Sequence, residues 1–141
     1  MNVDKRVLKR HKRNRAELAV IDRTLDRLYE QLEDVEEVSG KVTKSSDDFP
    51  YIEEHLTVRV ADPRKADPIM ERIRVKEGRK AKIEAEMLAV EEFIGGLPDG
   101  IDKRIFEMVY LDGASQHEVG EVTGYTQARV SQIINRYLKD L

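Results

Sequence analysis

The sequence predicts an all-α protein: two long heptad-patterned helices, arranged as a coiled-coil hairpin or a dimer, followed by a C-terminal helix-turn-helix domain. Three observations carry this. Apolar residues recur at alternating spacings of three and four in two long stretches. Residues 97–141 hold short helical patterns separated by glycines and restarted by Ser and Thr caps. The charged fraction of 38% with only 6% aromatic residues suits long solvated helices and leaves little for a large globular core.

The first series is Val7, His11, Asn14, Leu18, Ile21, Leu25, Leu28, Leu32 and Val35. It is a heptad seam, weak at its start because His11 and Asn14 hold core-type places. The second series is Ile69, Ile73, Lys76, Lys80, Ile83, Met87, Val90 and Ile94, interrupted by two lysines. At 1.5 Å per residue each helix would run on the order of 40 Å. The two can pair within one chain as an antiparallel hairpin, or between chains as a homodimer.

Between them, about 38–68, Ser39-Gly40, Ser45-Ser46-Asp47-Asp48 and prolines at 50, 63 and 68 predict an irregular linker. Extended, it would span roughly 100 Å, which permits either pairing. Residues 55–60 alternate and are a candidate short strand, against the irregular reading of the whole. Phe49, Tyr51 and Ile52 are expected to pack back on the helices rather than form a partner patch. The domains are thus 1–96, the long-helix region with its linker, and 97–141.

In the C-terminal part, Pro98 and Gly100 close what precedes them. Ile101, Ile105, Met108 and Val109 then recur at helical spacing, with Phe106 and Leu111 widening the face. Gly113 ends that helix. Ser115 caps the next, with Glu118 three residues on as in a capping box. Val119 and Val122 are its expected buried edge, and Gly120 is small enough for a close backbone approach. Gly124 ends it and Thr126 caps the last helix.

In that last helix Val130, Ile133, Ile134, Tyr137 and Leu141 fall on one side at 100° per residue, and Ala128, Ser131, Gln132, Asn135 and Lys139 on the other. Gln and Asn can bond adenine bidentately in the major groove, Ser is adaptable, and Ala can touch a thymine methyl. Ala128, Ser131, Gln132 and Asn135 are therefore candidate base readers, to which the resemblance described below adds Gln127. Ser115, Gln116, Thr126, Arg129, Arg136 and Lys139 are candidate phosphate contacts, the first two through free N–H groups at a helix start. The alternative for one such helix alone is an ordinary solvated face.

Residues 97–141 resemble region 4 of sigma-70-type factors, which reads the promoter −35 element. The residues that carry the resemblance are Leu97, Arg104-Ile105-Phe106, Tyr110-Leu111-Asp112-Gly113, Ser115, Glu118-Val119, Val122, Gly124, Thr126 and Val130. Residues 126–133 are especially close to the sigma recognition helix. The resemblance places base reading on Gln127, Ala128 and Gln132 and the neighbouring basic positions on Arg129 and Ser131. Ala128 stands where housekeeping sigmas use an acid and Ser131 where they often use a basic residue, so their −35 sequence does not carry over. The whole layout resembles phage late transcription regulators of the ArpU/RinA-like type, with Asp67-Pro68 before the second long helix.

Charge is uneven. Lys5, Arg6, Lys9, Arg10, Lys12, Arg13 and Arg15 oppose only Asp4 at the N-terminus, and Glu33, Asp34, Glu36 and Glu37 follow farther on. Either these are solvated ends of a coiled coil, or the basic end (Lys5, Arg6, Lys9, Arg10, Lys12 and Arg13) touches DNA backbone. The C-terminal part itself is acidic by count, with Lys103, Arg104, Arg129, Arg136 and Lys139 against seven Asp and Glu. Its DNA affinity therefore calls for dimerisation, the basic cluster, or tethering to RNA polymerase, and the resemblance favours the tether.

With no cysteine, disulfides and thiolate metal sites are excluded. No apolar run is long enough to span a membrane, and charge continues through the basic N-terminus, unlike a signal peptide. His11, His55 and His117 lie one to a segment, and no phosphate-binding or metalloprotease motif occurs. The expectation is a cytoplasmic, non-enzymatic transcription regulator without cofactor or metal, phage or prophage encoded. It would bind double-stranded DNA and RNA polymerase in a bacterial host. An accessory activator is favoured over a complete sigma factor, because no aromatic-rich promoter-melting element accompanies it. The alternatives are a DNA-packaging recognition subunit and a coiled-coil interaction adaptor that reads no DNA.

Overall fold

The computed structural model describes residues 3–45 and 53–138. Helix α1 (Lys5–Glu33) is followed by strands β1 (Glu37–Ser45) and β2 (Glu53–Ala61) and by helix α2 (Pro63–Gly95). Helix α3 (Ile101–Phe106) continues into a π-helical turn, Glu107–Leu111, and α4 (Gln116–Thr123) and α5 (Gln127–Leu138) complete the chain. Among the described residues no helix is long and apolar enough to cross a membrane. The chain divides into two units: one holds the residues up to Asp22 and again from Gly78 onward, the other Arg23–Glu77.

The second unit contains the main departure from the sequence expectation. The segment 38–68, expected to be irregular, holds an antiparallel hairpin in which Glu37 pairs with Ala61 and Ser45 with Glu53. The candidate strand at 55–60 lies inside β2. Its partner β1 has few apolar residues and carries Ser39-Gly40, so no local window predicts it. The register supplies what the window lacks: Val38↔Val60, Gly40↔Val58 and Val42↔Leu56 are alternate pairs, so every Val and Leu of the two strands falls in one pairing set. Phe49, Tyr51 and Ile52 lie outside the described residues. Helix α2 starts at Pro63, earlier than expected, and Pro68 lies within it. Asp62 explains the start: its carbonyl accepts from the Ala66 N–H (2.8 Å) and its Oδ1 from the Arg64 N–H (3.1 Å), while Pro63 has a fixed φ suited to the first helical turn. Among the described residues of this unit, Leu25, Leu28, Ala66 and Ile73 are buried.

In the first unit, the Asp4 Oδ1 accepts from the Val7 N–H at 3.0 Å and caps α1. The N-terminal half of α1 and the C-terminal part of α2 run antiparallel within the chain, stitched by Arg79–Glu17 (2.9 Å), Lys80–Asp22 (2.9 Å) and Arg10–Glu86. Exposed pairs of this kind fix register more than they add stability. The seam residues Val7, His11, Asn14 and Ile21 are buried as the heptads predict, as are Ile83, Val90 and Ile94.

One core then joins Val3, Val7 and Leu8 of the N-terminal segment, Val90 and Ile94 of α2, and Ile105, Phe106, Tyr110, Val119, Val130, Ile133 and Ile134. Phe106 is fully buried at its centre, with the rings of Phe93, Tyr110 and Tyr137 at 6.1, 5.7 and 5.6 Å. Burying such a ring is worth about 1.5–3 kcal/mol. The sequence places a boundary between 96 and 97; this core draws residues from both sides of it.

His11 and Asn14 are the polar members of the seam. Asn14 Nδ2 donates to Glu86 Oε2 at 3.0 Å. Both ring nitrogens of His11 are buried without a hydrogen-bond partner among the described residues. Burial, reinforced by Arg15 and partly opposed by Glu91, pushes the His11 imidazole below its ordinary value of 6.5.

Candidate nucleic-acid interface

The geometry starts at Gly113, whose φ of +74° lets the chain leave the π-helical turn and reach α4. The Ser115 Oγ accepts the Glu118 N–H at 3.1 Å and fixes the start of α4. Gly124, at φ +80°, closes α4 with its N–H on the Gly120 carbonyl at 2.8 Å. The Thr126 Oγ1 then accepts the Arg129 N–H at 3.1 Å and starts α5. Gly120 lies directly under this turn: a Cβ there would sit 2.6 Å from the Tyr125 carbonyl oxygen. The close approach foreseen at Gly120 is thus to the backbone of the turn.

One expected core position is corrected. Val122 is 72% exposed, whereas Val119 is buried. The buried arc of α4 runs from Val119 toward Gly120, 100° onward, and Val122 lies about 60° away on the other side.

Helix α5 buries Val130, Ile133 and Ile134 and turns Gln127, Ala128, Arg129 and Gln132 outward as exposed residues. Ser131 and Asn135 are half-buried beside them. Ala128, Gln132 and Asn135 therefore lie across α5 from its three buried residues and Ser131 lies beside that arc, whereas Gln127 projects about 20° from Ile134 and is exposed as the first residue of the helix. The Asn135 Oδ1 accepts from Lys5 Nζ at 3.4 Å, which brings the N-terminal segment to this face.

The candidate phosphate contacts separate more sharply. Ser115 and Thr126 are exposed but use their hydroxyls as caps, and Gln116 is half-buried. Arg129 is exposed and makes no side-chain hydrogen bond or ion pair among the described residues. Arg136 is engaged: its Nη2 lies 2.7 Å from Asp102 Oδ2, and its guanidinium sits 5.3 Å from the Tyr137 ring centre. The same carboxylate oxygen accepts from the Tyr137 hydroxyl at 2.7 Å, which raises that phenol above its ordinary 10.0. This Asp102–Arg136–Tyr137 group ties α3 to α5 and carries no signal in the sequence. Lys139 lies outside the described residues.

In the N-terminal cluster, Lys5, Arg6, Lys9, Arg10, Lys12 and Arg13 are all exposed. Arg10 is held by Glu86. The Lys12 side chain packs beside Gly113, with its Cδ 3.5 Å from where a Cβ would stand there. Arg15 donates to the Leu111 carbonyl. His117 is exposed and pairs with Glu121 of its own helix at 3.0 Å.

Residues 96–141 match the family model for sigma-70, region 4. Neither the curated proteins nor the solved structures gave a match. The region 4 match runs from the residue after α2 through α5, so the turn at Gly124 and the exposed residues of α5 lie in a helix-turn-helix of the region 4 kind. The two long helices and the hairpin lie outside it.

Proposed function

We propose that this chain is a sequence-specific transcription regulator that binds double-stranded DNA at a promoter and acts there with RNA polymerase. The observation that carries the reading is the exposed row Gln127, Ala128 and Gln132 on α5, set behind a glycine-closed turn within the region 4 match. These side chains can bond base edges, and α5 is narrow enough to enter a major groove. Gln127, Ala128, Ser131, Gln132 and Asn135 read bases; Arg129 holds phosphate.

The polymerase enters because the resemblance is to a domain that works on the polymerase, and because this domain carries more acidic than basic residues. A tether can raise avidity by about 10²–10⁴ without new contacts. The layout, two long helices ahead of such a domain, supports a phage or prophage regulator acting as an accessory activator. The reading makes the chain a binder and not a catalyst: His11 is buried in the core and His117 pairs within its own helix.

The test is selection of bound duplexes from a random library, with and without RNA polymerase, at near-physiological salt. A motif found without polymerase establishes autonomous reading, and one found only with it makes the chain a sigma-like or co-activating subunit. If no motif is recovered in either arm, the reading fails and protein interaction takes its place.

A further inference from the structure

Lys5, Lys9 and Lys12 follow the i, i+4, i+7 rule, so at 100° per residue they lie within about 60° of one another on α1. Both ends of the stripe are located against the helix-turn-helix. Lys5 donates to Asn135 on α5 at 3.4 Å, and Lys12 lies along Gly113 at the turn that leads into α4. Lys9 stands between them, exposed and with no partner among the described residues. Arg6 and Arg13 flank the stripe, also exposed and unpaired there.

We infer that this face of α1 is part of the DNA interface, a lysine rail that holds the phosphate backbone beside the groove that α5 reads. Charge and continuity both select DNA backbone as its occupant. Among its described residues the helix-turn-helix has few free cations of its own. Arg136 is held by Asp102, and Lys103 by Asp99 and the Gly95 carbonyl, which leaves Arg129 on the reading helix and Arg104 on α3. Non-specific affinity comes from neutralised phosphates, so a region 4-like domain with this deficit gains it from the segment packed against it. The rail rises about 10 Å from Lys5 to Lys12, and each DNA strand presents a phosphate about every 3.4 Å of axis, so about three phosphates lie within its reach. It starts at Asn135, on the helix assigned to the bases.

This inference rests on the DNA-binding reading above, and one experiment separates the two. The affinity of the full chain for a three-turn duplex of arbitrary sequence is measured between about 50 and 200 mM salt, alongside Lys5→Gln/Lys9→Gln/Lys12→Gln and the matching triple arginine variant. The glutamine variant should lower the slope of log K against log salt by about 2–3 units, at about 0.9 for each phosphate it no longer neutralises. The arginine variant should keep the parent slope. Lys9→Gln alone, which disturbs no described interaction, should lower it by about 0.9 and serves if the triple variant is misfolded by circular dichroism. A parent-like slope in folded glutamine variants overturns the rail and leaves base reading by α5 intact. Absence of DNA binding by the parent chain overturns the rail, and the DNA-binding reading falls with it only when selection in the presence of RNA polymerase also recovers no motif.

Discussion

The α-carbon of Gly120 packs so closely under the turn that a methyl group there would stand 2.6 Å from the Tyr125 carbonyl oxygen. That oxygen is backbone and belongs to the short link between α4 and α5, so it cannot swing aside as a side chain would. The helix-turn-helix angle therefore depends on a hydrogen atom at this position.

Gly120→Ala should destabilise the chain by about 1–3 kcal/mol, despite alanine's better helix propensity, because the clash falls on fixed backbone. Gly78→Ala, in α2 with nothing within 4 Å of the added methyl, should instead stabilise it by about 0.5–1 kcal/mol. Urea denaturation of both variants checks the pair. Equal effects of the same sign would refute the packing described for Gly120.

Base reading and phosphate holding separate in their sequence dependence. Gln132→Ala should cost about 1–3 kcal/mol on the selected site and little on scrambled duplex. Arg129→Ala should weaken both alike and reduce the salt slope by about one unit. Titrations of both duplexes at several salt concentrations distinguish them. A uniform loss for Gln132→Ala removes it from the base readers.

Arg136 behaves differently from Arg129 because Asp102 already holds it at 2.7 Å. Asp102→Asn removes one negative charge beside the reading helix and releases the guanidinium. DNA affinity should rise several-fold, with a salt slope steeper by up to about one unit. Arg136→Ala, made in the parent chain, should lower the slope by less than one unit. A full unit there would mean that the ion pair opens on binding.

His11 sets a pH dependence with a definite sign. Burial holds its folded-state affinity for protons below the ordinary 6.5, so the unfolded chain takes up the proton first. Stability is therefore full above about pH 6.5 and declines as pH falls through that value toward the folded pKa. Glu86 acts lower: Arg10 first, and then Asn14, hold its carboxyl below 4.5, so its contribution is present above 4.5 and lost on further acidification. His11→Leu should flatten the urea midpoint between about pH 7.5 and about pH 5.5 and leave the fall below about pH 4.5 in place. An unchanged profile would show that His11 is not the titrating group.

The helix caps and the α5 face were legible because each is a local pattern. Ser115, Gly124 and Thr126 act within three or four residues of themselves, and the spacing of Val130, Ile133 and Ile134 fixes which side of α5 is buried. The heptad positions Val7, His11, Asn14 and Ile21 were legible for the same reason. Val122 was misplaced because α4 is two turns long, too short for its periodicity to choose between two flanks of the buried arc. Strand β1 was missed because it is held by cross-strand pairs such as Val38↔Val60, formed with residues 8 to 24 positions away.

The order of residues alone was enough to specify long amphipathic helices and a terminal helix-turn-helix with Ala128 and Gln132 outward. Side-chain periodicity and capping chemistry depend on near neighbours, and near neighbours are what a linear chain displays. The folded chain was needed to show that Lys5 meets Asn135, that Asp102 claims Arg136, and that Val3, Val7 and Leu8 close the same core as Phe106. Those relationships join residues 34 to 130 positions apart, and which partner wins is settled by packing around one shared core.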